Sequence, residues 1–221
     1  RFGKDNDGST AERPRKMLNI TRDTGEFLAV LVRATLARRL LEIGTSNGYS
    51  TLWLAGAARA IGGSVTTVEK SPYKIDLASK NFARSDLASY ISQVHDDAGR
   101  LLERSADSAF DMIFLDSERP EYPGWWPNLR RALRPGGLLV IDNATSHPVE
   151  IAPFIALVKA DGTPECVPFY PHEFLQRQAA MGQADPSTVA MPFLSVEALN
   201  PLECHRIREA MKTDTSEKLR G

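Results

Sequence analysis

Acidic residues recur in this sequence where short apolar runs end. Such runs are typical of buried parallel strands, whose carboxyl ends meet at one edge of a sheet. A single acidic residue there is more often a helix cap or loop residue than a ligand-binding group. Five acidic strand ends on one edge are hard to attribute to capping, and we interpret that edge as a functional site. The residues are Glu42, Glu69, Asp96 with Asp97, Asp116, and Asp142 with Asn143.

The elements that must position these residues alternate between strand and helix. Apolar or β-branched runs predict strands, and helical periodicity predicts the segments between them. Residues 134–137 (RPGG) predict a turn, because Pro and paired Gly break helices. Five strand–helix units predict an α/β fold with a mostly parallel sheet and helices on both faces. The predicted strands are 38–44, 64–69, 90–95, 110–116 and 138–142, and the predicted helices are 49–60, 71–84, 99–104, 122–133 and 149–159.

The loop after the first predicted strand has glycines at positions 44 and 48. Glycine lets the main chain turn sharply and lets a ligand approach it, and the N-terminus of the next helix favours a negative group. A dinucleotide-binding enzyme would have G-x-G-x-x-G here, but Ser46 stands where the second glycine would be. The spacing speaks against a dinucleotide, and the loop alone is a weak signal for any ligand.

Glu69 ends the second predicted strand, where an acidic residue can accept both ribose hydroxyls of a nucleoside. Asp97 and Ala98 would then flank the adenine. The alternative is that Glu69 is a surface charge at the start of the next helix.

Three segments resemble the catechol and caffeoyl-CoA O-methyltransferase family. Residues 40–55 (LLEIGTSNGYSTLWLA) resemble its motif I, which commonly contains E-I-G-T-x-x-G-Y-S. Residues 17–21 (MLNIT) resemble the short segment that folds over the cofactor. Residues 110–143 resemble the remaining pattern, F-D-x-x-F-x-D, an aromatic helix, R-P-G-G-L-L-V and D-N. The resemblance runs from Met17 to Asp161 and implies an S-adenosylmethionine-dependent O-methyltransferase with a Rossmann-like class I methyltransferase fold.

The same resemblance assigns parts of the cofactor, S-adenosyl-L-methionine, to particular residues. Its methionine end and sulfonium would lie beside Glu42 and the glycine loop, its ribose on Glu69, and its adenine beside Asp97 and Ala98. The implied cofactor-binding residues are Leu18, Glu42, Gly44, Thr45, Ser46, Gly48, Tyr49, Ser50, Glu69, Asp97, Ala98 and Asp116.

A metal site is implied at Asp116, Asp142 and Asn143. Three oxygen ligands, two of them charged, suit a hard cation such as Mg²⁺, with Mn²⁺ or Ca²⁺ as alternatives. A phenol with a pKa of about 10 is mostly protonated at neutral pH. Binding of two vicinal oxygens to the metal would lower that pKa and fix the attacking oxygen near the methyl group. We therefore expect a small catechol-like or other vicinal-oxygen acceptor, although an acidic residue after the fourth strand also occurs in methyltransferases without metal.

Arg119 departs from the family pattern, because many members have a Lys there that can act as general base. A guanidinium does not lose its proton in proteins, so metal activation would carry the deprotonation. We take Asp116 and Arg119 as the candidate catalytic residues, and Arg119 would either stabilise a bound phenolate or lie on the surface.

Three ring-bearing residues have simpler interpretations. Trp125 and Trp126 predict core packing for at least one of the two, with an aromatic wall for the acceptor as the alternative. His147 follows the Asp-Asn pair closely, but a lone histidine is more often a loop residue bonded to the main chain than a catalytic group.

Charge and composition limit the partners. The 27 basic and 28 acidic residues nearly balance, so we expect neither nucleic acid nor an anionic membrane as a partner. No apolar run approaches the roughly 20 residues of a membrane-spanning helix. The 2 cysteines do not form a disulfide framework, and they suggest a reducing compartment, so we expect a cytoplasmic protein.

We divide the chain into a mobile N-terminal segment, 1–16, a methyltransferase domain, 17–175, and a linker with a C-terminal helix, 176–221. The sequence leaves the family pattern after Gly162, since the prolines of 166–175 suit the expected closing hairpin poorly. The tail could cap the site or mediate dimerisation, and we expect a homodimer. Three alternatives stay open: a metal-independent methyltransferase acting on oxygen or nitrogen, a non-methylating nucleoside-binding protein, and a catalytically silent family member.

Overall fold

The computed structural model describes residues 19–144 and 146–161, and these form one α/β sandwich. The predictions for residues 1–18, among them Leu18, and for residues 162–221, which include the C-terminal tail, fall outside the described part of the chain. The strands are β1 (Arg39–Ile43), β2 (Ser64–Glu69), β3 (Ile91–His95), β4 (Phe110–Leu115) and β5 (Leu133–Ile141). The helices are α1 (Arg22–Thr35), α2 (Tyr49–Ala60), α3 (Pro72–Ala83), α4 (Ala98–Arg104), α5 (Tyr122–Ala132) and α6 (Pro148–Ala160).

The sheet has the strand order β3-β2-β1-β4-β5, and every pairing in it is parallel. The order reverses between β1 and β4, and ligands of such sheets bind beyond the carboxyl ends of the strands at that point. One apolar cluster packs α1 and α2 on one face, and a second packs α4, α5 and α6 on the other. The predicted fold class, with helices on both faces, is confirmed.

Helix α1 was not among the predicted elements, although the sequence carries its signals. Thr21 caps it by accepting a hydrogen bond from the Thr24 main-chain N–H, as threonine commonly does at a helix start. Leu28 and Val32 lie four residues apart and are fully buried. The missing side chain of Gly25 leaves room for the ring of Trp53 from α2. Helix α1 thus covers one face of the sheet beside the first loop.

The RPGG segment is not a turn before the last strand, as predicted, but a bulge within it. Leu133 pairs with Phe110 and Leu138 pairs with Met112, so residues 134–137 bulge out opposite one residue of β4. Gly136 has φ +69°, and the Arg134 guanidinium lies 3.2 Å from the Asp111 carboxylate. Strand β5 therefore begins at Leu133, five residues earlier than predicted.

No helix among residues 19–144 and 146–161 is both long enough and apolar enough to cross a membrane.

Candidate functional site

The acidic strand ends do meet along one edge of the sheet. The Asp116 main-chain N–H donates to the Ile43 carbonyl and that of Asp142 donates to the Leu115 carbonyl, each at 2.9 Å. These bonds continue the parallel ladder one residue beyond β4 and β5. Both carboxylates are therefore held directly after their strands, at the reversal of strand order and on its β5 side.

The first loop is packed tightly between its neighbours. Gly44 has φ +108°, and a Cβ atom there would overlap the main-chain oxygen of Asp116. Gly48 has φ +86°, and a Cβ atom there would lie 2.7 Å from Phe82 Cζ of α3. Ser46 also has a positive φ, +49°. Glycine at 44 and 48 is thus required first by the protein's own packing, whatever ligand the loop holds.

Glu42 is completely buried under that loop in a cluster of hydroxyl groups. Its Oε2 atom accepts hydrogen bonds from the hydroxyls of Thr51 and Thr67, the latter at 2.6 Å, whereas its Oε1 atom has no partner. The Thr45 hydroxyl lies 2.6 Å from that of Thr67 and extends the cluster. Burial raises the pKa of Glu42, and the hydroxyl groups offset this only in part.

Glu69 joins the first loop to the start of α3. Its two carboxylate oxygens accept the main-chain N–H groups of Ser46 at 3.1 Å and Ser71 at 2.9 Å. A carboxylate has about four acceptor positions, so capacity remains for ribose hydroxyls. Glu69 therefore binds the main chain just before α3, and its role as the ribose acceptor stays a prediction.

The predicted adenine border lies at the start of α4. The Asp97 carboxylate caps this helix by accepting the Arg100 main-chain N–H at 3.2 Å, and Ala98 is buried. A Cβ atom at Gly99 would lie 3.1 Å from the indole nitrogen of Trp125. Trp125 thus lies beside the predicted adenine border. Trp126 is buried and donates to Asp161, as predicted for core packing.

Asp116 and Asp142 influence each other's charge. Burial raises the pKa of Asp116 well above its ordinary value, and the negative charges of Asp142 and Glu42 raise it further. Burial also raises the pKa of Asp142, which the Asn143 main-chain N–H lowers. Arg119 lowers the pKa of both carboxyl groups. Two poorly hydrated acids close together stabilise a positive charge placed between them.

Asn143 turns the chain out of β5 with φ +59°. Its side-chain amide donates to Asp142 Oδ2 at 2.7 Å and accepts from the Ser146 hydroxyl at 3.1 Å. The Ser146 hydroxyl also lies 2.9 Å from His147 Nδ1. His147 is thus a loop residue at the start of α6, but its ring bonds to a side-chain hydroxyl and not to the main chain as predicted. Carboxylate and amide oxygens are ligand types that suit a hard cation, but here the Asn143 amide nitrogen, and not its oxygen, faces Asp142.

The Arg119 side chain is largely covered and forms an ion pair. Only 16% of its side chain is exposed, and its Nε–H donates to Glu150 of α6 at 2.9 Å. This ion pair links the segment after β4 to the helix that follows β5. Because these two segments carry Asp116 and Asp142, the ion pair helps to fix the distance between the two carboxylates. Glu150 was not identified from the sequence, because no local sequence pattern indicates an ion pair with Arg119, which is 31 residues away.

Tyr122 and Ser117 form a second contact that the sequence did not reveal. The Tyr122 hydroxyl accepts the Ser117 main-chain N–H at 2.9 Å and donates to the Ser117 carbonyl at 3.1 Å. Burial raises the pKa of Tyr122 to about 12, so the hydroxyl keeps its proton at neutral pH. The segment after Asp116 is therefore anchored to α5.

These features define an α/β protein with a candidate ligand-binding edge at the carboxyl ends of five parallel strands. The structure places Glu42, Glu69, Asp116 and Asp142 along this edge, as predicted. It adds three contacts that the sequence did not reveal: Thr67 with Glu42, Tyr122 with Ser117, and Glu150 with Arg119. No group of three or more His, Cys, Asp or Glu residues in the described part of the chain is arranged to hold a metal ion.

The model of the O-methyltransferase family matches residues 4–153, and the chain belongs to that family. A catechol O-methyltransferase from Niastella koreensis is 35% identical over 139 residues, which are 61% of this chain and 62% of that protein. One from Mycobacterium tuberculosis is 35% identical over 60% of this chain and 59% of its own length. The chain thus spans about three fifths of these curated relatives.

A solved structure with the same fold is the O-methyltransferase from Bacillus cereus in complex with SAH. Its TM-score is 0.58 at 30% identity, and the match covers 68% of this chain and 74% of that one. The O-methyltransferase TomG from Streptomyces achromogenes, in complex with SAM, has a TM-score of 0.55 at 28% identity over 66% and 74%. Family membership and the Rossmann-like methyltransferase fold are therefore established for this chain.

Proposed function

We propose that this protein transfers a methyl group from S-adenosylmethionine to an oxygen of a small acceptor with two vicinal oxygens, assisted by a divalent cation. The observation that carries the proposal is the pair Asp116 and Asp142, two poorly hydrated carboxyl groups held at the strand ends of a member of the O-methyltransferase family. The relatives named for SAM, SAH or catechol support the choice of cofactor and acceptor.

The chain's own residues would divide the work by position. Glu69 would accept the ribose hydroxyls, and the tightly packed first loop would hold the cofactor against the end of β1. Asp116, Asp142 and Asn143 would be the cation ligands. When bound, a divalent cation would lower the pKa of the acceptor hydroxyl and orient its oxygen. Arg119, held by Glu150, would stabilise negative charge on the acceptor but would not remove a proton.

A second candidate is a methyltransferase that needs no metal. It is favoured by one observation: Arg119 already supplies a positive charge that lowers the pKa of Asp116 and Asp142. In that case the two carboxylates would position the cofactor and the acceptor, and the acceptor could be an oxygen or an amine.

Calorimetric titration with S-adenosylmethionine and S-adenosylhomocysteine tests both candidates, because both require binding of these ligands. Failure of both to bind would contradict methyl transfer altogether. Methylation of a panel of catechols and amines, with and without EDTA, then separates the candidates. Loss of activity in EDTA that is restored by Mg²⁺, Mn²⁺ or Ca²⁺ supports the first, and activity unchanged by EDTA supports the second. Sedimentation analysis tests the predicted homodimer.

A further inference from the structure

Arg119 lies close to two poorly hydrated carboxylates but forms an ion pair with neither. It lowers the pKa of both Asp116 and Asp142, so its charge acts on both groups. A guanidinium matches a carboxylate in shape and commonly binds it through two parallel hydrogen bonds. Among the described residues, however, the Arg119 side chain pairs only with Glu150, to which its Nε–H donates at 2.9 Å. An arginine beside two acids is therefore held by a third.

The main chain beside Arg119 is anchored, so the side chain is the part that could reach the two acids. Tyr122 binds both the main-chain N–H and the carbonyl of Ser117. Arg119 itself begins a short 3₁₀ helix, Arg119–Glu121. Its long side chain has several staggered conformations to choose from. The ion pair with Glu150 therefore selects the conformation in which the guanidinium leaves the acids unpaired.

Glu150 holds the guanidinium from the helix that follows β5. It lies in the first turn of α6, where the positive end of the helix dipole favours an acidic side chain. Its side chain is 46% exposed, so Arg119 is paired with a better hydrated carboxylate than those of the two acids.

We propose that Glu150 is a positioning residue for the cation site. It holds Arg119 away from the two acids, so that both carboxylates stay available for a divalent cation. Without Glu150, the guanidinium would pair with one of the acids, and Arg119 would have to leave before that acid could bind a cation. The proposal rests on the proposed function, because it concerns the cation of that site.

The test is a double-mutant cycle in which calorimetry gives the affinity for Mn²⁺ with S-adenosylhomocysteine present. Glu150→Ala should bind Mn²⁺ about ten-fold more weakly than the wild type, as expected if the arginine occupies the acids in about nine of ten molecules. In the Arg119→Gln background the same substitution should have little effect, because no guanidinium is left to pair with the acids.

A second variant separates the hydrogen bond from the charge. Glu150→Gln removes the charge but keeps an oxygen that can accept the Arg119 Nε–H, so it should bind Mn²⁺ more tightly than Glu150→Ala. Asp76→Ala is the matched control. Asp76 pairs with Lys80 at 2.6 Å on α3, so this variant removes an acid and breaks an ion pair outside the site, and its affinity for Mn²⁺ should equal that of the wild type.

An affinity for Mn²⁺ that Glu150→Ala leaves unchanged would overturn the proposal. Equal weakening by this substitution with Arg119 and with Gln at position 119 would overturn it as well, because Glu150 would then act through its own charge alone. If the wild type bound no Mn²⁺, the role of the cation in the proposed function would itself fail. That result differs from tight binding by the wild type that the Glu150 variants do not alter.

Discussion

Gly44 lies directly against the carbonyl group of Asp116. A Cβ atom at Gly44 would overlap the carbonyl oxygen and lie 2.8 Å from the carbonyl carbon. The close approach is possible because Gly44 has φ +108°, a conformation that residues with a side chain rarely adopt. The glycine of the first loop and the candidate catalytic carboxylate are therefore parts of one packed unit.

Gly44→Ala should destabilise the protein by about 3 kcal/mol or more, because it adds overlap with the main chain to backbone strain. Urea unfolding followed by circular dichroism measures the change. Gly62→Ala is the control, since Gly62 has φ +71° but nothing within 4 Å of an added Cβ. That variant should lose only roughly 1–2 kcal/mol. Equal losses in the two variants would show that the contact with Asp116 contributes nothing.

Glu42→Gln should change how stability depends on pH. The pKa of Glu42 is raised above 4.5 by burial, so between the two values the folded protein holds a proton that the unfolded chain has released. Stability from this group is full below pH 4.5 and is lost as the pH rises through the folded-state value. The variant lacks this loss, so its free energy of unfolding relative to wild type should rise with pH.

Urea unfolding between pH 5 and pH 8 tests whether this difference in the free energy of unfolding rises with pH. Each unit by which the folded-state pKa of Glu42 exceeds the unfolded-state pKa contributes roughly 1.4 kcal/mol to the difference. Exchange of Glu103, which is exposed on α4, for Gln is the control and should show no such trend. A difference that stays constant or falls with pH would contradict the argument.

Tyr122→Phe should cost about 1–3 kcal/mol of stability, because the Ser117 N–H and carbonyl lose their partner inside the protein. The aromatic contact with Phe154, at 5.6 Å between ring centroids, is retained in this variant. Chemical denaturation gives the magnitude, and Tyr73→Phe serves as control because that ring is 51% exposed. A Tyr122 variant as stable as the control would show that the Ser117 anchor is energetically unimportant.

Arg119→Lys should keep methyl transfer within about three-fold of wild type, whereas Arg119→Gln should lower kcat by about ten-fold or more. Lysine keeps a positive charge near Asp116 and Asp142, and glutamine does not. Steady-state assays with the best acceptor of the panel provide kcat for both variants. A collapse in the lysine variant would instead show that the Nε–H bond to Glu150 is required.

Asp142→Ala should lose metal-dependent turnover by about 100-fold while binding S-adenosylhomocysteine with nearly unchanged affinity. In the wild type the negative charge of Asp142 raises the pKa of Asp116. Because the variant removes this repulsion between the two acids, its loss should not destabilise the ligand-free protein. Turnover in Mg²⁺ and calorimetry are the two measurements. Asp86→Ala provides the control, because Asp86 pairs with Arg59 outside the site. Full Mg²⁺-dependent activity in the Asp142 variant would contradict its role as a ligand.

Much of the fold was predictable because its signals are local. The β-branched run of β2 and the periodicity of α2 predicted both elements at their observed residues. The bulge in β5 was not predictable from Pro and Gly alone. It depends on the register with β4 and on Asp111, which binds Arg134 and lies on that neighbouring strand.

The candidate site was also predictable only where its signals are local. The sequence by itself determined which carboxylates lie at strand ends, because a short apolar run followed by an acid is a local pattern, and the parallel sheet then brings those ends to one edge. Only the tertiary structure decided their partners: Thr67 for Glu42, Glu150 for Arg119, and Tyr122 for the segment after Asp116. The physical reason is that hydrogen bonds and charge shifts depend on distances of a few ångströms, which strand order and helix packing set between residues far apart in the chain.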